Sequence, residues 1–125
     1  MKQRALHKFA RHEHGSTAVE FALLLPAFAS LMVGTLYAGL VVYSAAGLHS
    51  AVEQAARCYS VNATTCGSSS ATVTYAQGQY HGINSPNFTA ATPACGHQVS
   101  GTVTVGLNDV FANLSIPLSA TACFP

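Results

Sequence analysis

Hydrophobic and polar positions divide this chain into regimes of different character. From Phe21 to Val52, 32 consecutive residues pass without a Lys, Arg, Asp or Glu. Within that run, Phe21–Tyr43 (FALLLPAFASLMVGTLYAGLVVY) is apolar on every side, with only Ser, Thr and Gly interspersed. About 20 apolar residues cross the hydrocarbon core of a bilayer as a helix, so this segment is long enough to span. So short a chain could hardly bury such a helix in a soluble core. The helical pattern continues through Ser44–Tyr59 (SAAGLHSAVEQAARCY), where Leu48, Val52, Ala55 and Ala56 share one side. Glu53 stands four residues before Arg57, the favourable order for an ion pair worth a few tenths of a kcal/mol. A helix from Ser16 to about Arg57 would be roughly 63 Å long, about twice the hydrocarbon core, so its second half would stand outside.

The pattern changes after residue 58. Val99, Gly101, Val103 and Val105 alternate in HQVSGTVTVGL, and Leu114, Ile116, Leu118 and Ala120 alternate in LSIPLSATA. Both read as half-buried strands, with Pro117 placing the second at an edge or a bulge. Pro86–Thr92 (PNFTAAT) offers a third strand, and Gly106–Asn113 reads as a loop or helical turn. Gly67–Gly82 is rich in Ser, Ala and Gln, and its ATVTYAQGQYHG fits a short helix or an edge strand equally well. The expected fold class is α+β: a long N-terminal helix carrying a small antiparallel sheet.

Charge sharpens this division. Only 9 of the 125 residues are Lys, Arg, Asp or Glu, and the net charge is +1. That balance excludes a disordered solvating segment and gives no basic patch for nucleic acid. Lys2, Arg4, Lys8 and Arg11 precede the apolar run and Arg57 is the only base after it. The positive-inside rule therefore keeps the N-terminus cytoplasmic and places the chain beyond about residue 45 on the far side.

Glu20 stands one position before the apolar run, where an ionised carboxylate is costly and generally functional. Alone, it is equally well read as a first-turn acid at the headgroup layer that favours the helix dipole. Its context is a basic segment, Gly15, four small or apolar residues (Ser16-Thr17-Ala18-Val19), Glu20-Phe21, then the apolar stretch. This order resembles the leader of type IV prepilins and, more closely, the TadE-like pseudopilins of the tight-adherence (Flp) pilus machinery. STAVEFALLLPAF carries the likeness, including the proline six residues after the glutamate; AVEQAARC and the closing SATACFP extend it. The resemblance implies cleavage by a prepilin peptidase after Gly15, which would make Ser16 the new N-terminus and Glu20 the fifth mature residue. It also implies a pilin-like fold and an assembly role for Glu20 and Phe21. The expected partners are the peptidase, other pilins or pseudopilins, the assembly platform and membrane lipid. The place implied is the bacterial inner membrane, crossed once, with a periplasmic C-terminal domain. The expected organisation is a basic leader over 1–15, a long helix over 16–57 and a small domain over 58–125.

Small residues recur every fourth position at Ala18, Ala22, Ser30, Gly34 and Ala38, with Pro26 in the same row. Such a row allows another helix to approach closely. Pro26 itself removes one helical hydrogen bond and should loosen the preceding turn.

All four cysteines, Cys58, Cys66, Cys95 and Cys123, follow the apolar segment, on the side expected to be oxidising. Of the three possible connectivities, local spacing favours Cys58–Cys66 with Cys95–Cys123, the pattern the resemblance also suggests. Metal-ligand spacing is absent, and His12-Glu13-His14 reads as a polar flank. His49, His81 and His97 are scattered, and neither a nucleophile elbow nor a Gly-rich phosphate loop occurs. The expectation is a protein that is not an enzyme and has no cofactor, metal or small-molecule substrate. Two rival readings remain: an uncleaved single-pass anchor, and a secreted domain cut after Ala29 in an A-x-A context.

Overall fold

The computed structural model describes residues 14–109 and 112–125, with side chains over 17–106 and 113–125. The chain separates between Leu36 and Tyr37 into two compact units. Helix α1, His14–Val61, contributes to both and is continuous through Pro26.

In the first unit every side chain from Thr17 to Leu36 is exposed, including Phe21, Leu23, Phe28, Leu31 and Leu36. This is one helix long and apolar enough to cross a membrane, with none of its most apolar window buried. Its polar side chains turn back onto the helix: Ser30 Oγ donates to the Ala27 carbonyl at 2.8 Å, and Thr35 Oγ1 donates to that of Leu31. Hydroxyls satisfied this way need no partner from a hydrocarbon surrounding.

The second unit begins at Tyr37. From there α1 buries Tyr37, Ser44, Leu48, Ala51, Val52, Ala55, Ala56 and Cys58. Their spacings form the single stripe of an amphipathic helix. The stripe starts inside the apolar run read from sequence, so Tyr37–Tyr43 serves the folded unit on one face. Two short helices follow, α2 over Ala63–Cys66 and α3 over Ser69–Gln79. Asn62 caps the first, accepting from the Thr65 amide at 3.1 Å, and Ser68 caps the second, accepting from the Ala71 amide at 3.2 Å. These caps, and Thr72 Oγ1 bonding the Cys66 and Ser68 carbonyls, make Ser69–Gln79 of the ambiguous 67–82 segment a helix.

Three antiparallel strands complete the unit in the order β1 (Asn87–Ala91), β2 (His97–Asp109), β3 (Ala112–Phe124). Val99, Val103 and Val105 of β2, Phe88 of β1 and Ala120 of β3 are buried, while Thr102, Thr104, Ser119 and Thr121 face outward. Phe88, Val99, Val103 and Ala120 share one core with Leu48, Ala51, Val52, Ala55 and Ala56 of α1. Alanines on the helix let the sheet come close, and at Gly101 the approach leaves no room for a side chain. A Cβ there would lie 2.6 Å from the Phe88 ring and 2.9 Å from Leu48 Cδ1. Pro117 sits on edge strand β3 opposite Thr104, where a missing amide costs the ladder nothing.

Two sequence expectations change. Of the expected loop over Gly106–Asn113, residues 106–109 and 112–113 are ladder, with pairs Gly106↔Ser115, Leu107↔Leu114, Asn108↔Asn113 and Asp109↔Ala112; the two residues between lie outside the described residues. The register continues unbroken through positions whose Gly and Asn residues suggest a turn. Glu53 and Arg57 are both exposed and form no ion pair among the described residues. A surface pair contributes so little that its two long side chains gain nothing by ordering.

Gly96 takes φ +117°, and a Cβ there would fall 2.3 Å from the Phe124 carbonyl oxygen. Strain and clash act together, so Gly96→Ala is expected to destabilise the second unit by about 2 kcal/mol, roughly 10 °C in melting temperature. Circular dichroism melts of the full chain in detergent check this; an unshifted melt contradicts it.

Candidate functional site

The residues singled out from sequence fall mainly on α1. Gly15 and Ser16 stand in its first turn, and their side-chain surroundings lie outside the described residues. So do Lys2, Arg4, Lys8, Arg11, His12 and Glu13. Glu20 is one turn beyond Ser16, exposed, and makes no hydrogen bond or ion pair among the described residues. Phe21, beside it, is exposed as well. From Glu20 to Leu36 is 16 residues, about 24 Å of helix. A 20-residue apolar stretch ending at Leu36 therefore contains the carboxylate rather than starting after it.

Ala18, Ala22, Pro26, Ser30, Gly34 and Ala38 are all exposed along the helix. A Cβ added at Gly34 would meet nothing within 4 Å, so the chain itself does not use the space this glycine leaves.

Cys58 is joined to Cys66, and Cys95 to Cys123. The first bridge ties the last turn of α1 to α2, with Cys66 fully buried. The second ties the segment before β2 to β3, beside the pair Gln98↔Cys123. Ser60 Oγ also donates to the Pro125 carbonyl at 2.8 Å, holding the end of β3 against α1.

Residues with catalytic potential are not gathered. His49 and His81 are exposed, and His97 packs its ring edge-to-face on Tyr59 at 4.4 Å. Among the described residues no three His, Cys, Asp or Glu side chains cluster as metal ligands would. A shallow open cleft of about 300 Å³ is lined by Gln54, Arg57, Cys58, Val61, Asn62 and Tyr75. Arg57 is its one charged group, and it offers neither a nucleophile nor a base.

Sequence reasoning missed Tyr37 and Ser44. The Tyr37 hydroxyl donates to the Val105 carbonyl at 3.1 Å and also lies 3.5 Å from that of Leu114. Ser44 is fully buried, and its Oγ accepts from the Ile83 amide at 3.4 Å. The available signal was a polar-tipped ring inside an apolar run, since a tyrosine hydroxyl removed from water requires a partner.

The family model described as TadE-like protein matches residues 15–57, about a third of the chain. No curated protein and no solved structure matches. The match covers Gly15, Glu20, the apolar run and most of the buried stripe of α1.

Proposed function

We propose that this TadE-like chain is a minor pilin, or pseudopilin, cut after Gly15 by a prepilin peptidase and used in assembling a Tad/Flp adhesive pilus or a related secretion machine. The observation that carries this reading is Glu20: an exposed carboxylate with no partner among the described residues, one turn from Ser16, on a helix whose side chains are all exposed from Thr17 to Leu36. A chain acting alone has no use for an uncompensated charge at that depth. A neighbour that brings a cation to it makes the charge useful.

Cleavage supplies such a cation. Hydrolysis of the Gly15–Ser16 bond leaves an α-ammonium on Ser16 and discards the leader with its four bases. Glycine before the bond lets an extended backbone enter a protease cleft without a side chain in the way. The ammonium of one subunit then pairs with Glu20 of the next. In a low-dielectric setting the attraction is large but offset by desolvation, so the pair acts chiefly by setting the stagger between helices. The row Ala18, Ala22, Pro26, Ser30, Gly34 and Ala38 is the face along which helices close up. The second unit is then periplasmic, held by its two disulfides, with the inner membrane crossed once.

N-terminal sequencing of the chain from a membrane fraction tests the first step. Ser16 is the expected start. Met1 would make the protein a static anchor, and Ser30 would make it a secreted domain; either result overturns the proposal.

A further inference from the structure

Glu53 and Arg57 are the only Lys, Arg, Asp or Glu residues between Phe21 and Asn108. Both are exposed, and neither has an ion-pair partner among the described residues. They serve different sides of α1. Gln54, Arg57, Cys58 and Val61 follow helical spacing and line the open cleft of about 300 Å³ with Asn62 and Tyr75, whereas Glu53 does not line it. The chemistry of this cleft is one-sided. Arg57 brings five N–H donors and no acceptor. Asn62 spends its side-chain oxygen on the Thr65 amide, which leaves its NH₂ group to donate. The Tyr75 hydroxyl makes no hydrogen bond among the described residues and can donate as well. Cys58 and Val61 add apolar wall, and no Asp or Glu is present. Donors around a single guanidinium fit a singly charged planar anion. That anion is a carboxylate, which arginine grips through two parallel N–H bonds.

We propose that this cleft is a carboxylate seat whose occupant is Glu53 of a second copy of this chain, the exchange being reciprocal. Seat and ligand lie one turn apart on one helix, about 6 Å along its axis. A patch that carries both halves of a contact is self-complementary. Turned about a two-fold axis beside α1, each copy offers Glu53 to the other's cleft and receives the other's Glu53 in its own. The axial offset is within the span of the long side chains that pair across neighbouring helices. Charge complementarity favours a second copy over an unrelated acidic protein. An unrelated carboxylate would satisfy Arg57 and leave Glu53 bare, whereas a second copy neutralises both charges of both chains. Ser50 and Gln54, beside them on α1 and bonded to each other at 2.9 Å, bring no further charge into the contact. The inference depends neither on cleavage at Gly15 nor on membership of a pilus, and it holds for the cut and uncut chain alike.

Charge reversal tests this on the full chain in density-matched detergent, with self-association measured by sedimentation equilibrium at low salt. The wild-type chain is expected to associate. Glu53→Arg and Arg57→Glu, made singly, should each weaken association about tenfold or more, because two-fold symmetry sets like charges together in both halves of the contact. Mixing the two single variants restores opposite charges at both seats, so the mixture should associate within about threefold of wild type. The chain carrying both reversals should do the same by itself. Contacts made through the apolar part of α1 are common to every variant and cancel in the comparison. Both positions are exposed, so circular dichroism melts should stay close to wild type. A monomeric wild-type chain, or single variants that associate as wild type does, overturns the proposal. Weak single variants that recover neither by mixing nor by double reversal would assign the cleft to a different protein's carboxylate and overturn the second copy as its occupant.

Discussion

Glu20→Ala is expected to yield a chain that is cut normally at Gly15 and held firmly in the membrane, yet enters assemblies at least about tenfold less well. The two halves of this result have opposite physical signs. For the isolated subunit, removing a carboxylate from an apolar helix relieves a cost of several kcal/mol, so membrane retention should be unchanged or stronger. For the proposed assembly, the loss would leave the Ser16 ammonium of a neighbour unpaired in a low-dielectric contact, and breaking one side of a buried pair costs about 3–5 kcal/mol. Glu20→Gln separates charge from shape. It keeps the length and hydrogen-bonding capacity of glutamate, so an ion pair predicts a defect close to that of alanine. Measured by the fraction of chain recovered in sheared pili or crosslinked to other pilus components, wild-type behaviour of Glu20→Gln would sink the pairing. A defect in cleavage itself would instead move Glu20 into the peptidase's recognition of its substrate.

What could be read from the sequence followed from how locally each signal is encoded. The apolar run and the stripe of Leu48, Val52, Ala55 and Ala56 repeat over many turns of one helix, and both were legible. The division of labour between them was not. Tyr37 counts as apolar by composition, and only the tertiary hydrogen bond to Val105 shows that the sheet begins to cover α1 there. Strands β2 and β3 announced themselves where valines or leucines alternate. Their extension through Gly106, Asn108 and Asn113 did not, because Gly and Asn are turn formers in isolation. The antiparallel ladder with β3 extends through them nonetheless. Helix α3 lacks a strong apolar face, and Thr72, Val73, Ala76 and Tyr80 show helical spacing only once Ser68 is recognised as its cap. Glu20 stood out as a residue in the wrong surroundings, but its lack of a partner among the described residues needed the structure.

The paucity of charge gains meaning in the same way. Four of the five bases and Glu13 precede Gly15, so a chain cut there, as proposed, would keep Glu20, Glu53, Arg57 and Asp109. Glu53 and Arg57 do not neutralise each other within the subunit. The outward face of the sheet is built of hydroxyl side chains, with Ser100 and Thr121 bonded across strands at 3.1 Å. Such a surface adds little long-range field, and packing rather than charge must direct its contacts.

Removing the Cys95–Cys123 bridge by paired alanine substitution should cost more stability than removing Cys58–Cys66. The bridged cysteines are 28 residues apart in the first case and 8 in the second. Loop-closure entropy assigns about 3.6 kcal/mol to the longer loop and about 2.6 kcal/mol to the shorter. Against a total of roughly 5–10 kcal/mol for a unit of this size, the longer bridge is a large share. Its position strengthens the expectation. It fastens edge strand β3 at its C-terminal end, where the remaining ties are the ladder itself and the hydrogen bond from Ser60 to Pro125. Cys58–Cys66 instead closes a short connection whose ends are already ordered by α1 and the Asn62 cap. Thermal melts of the full chain in detergent should drop by roughly 15–25 °C for Cys95→Ala with Cys123→Ala, and by less for Cys58→Ala with Cys66→Ala. Because Cys66 is fully buried, part of the second loss will be packing; a chain with Cys95→Ala and Cys123→Ala, melted oxidised and reduced, gives the cross-link part alone. Equal melts for the two pairs would show that chain entropy does not set the order, and a larger loss at Cys58–Cys66 would place the weakest point at the C-terminal end of α1.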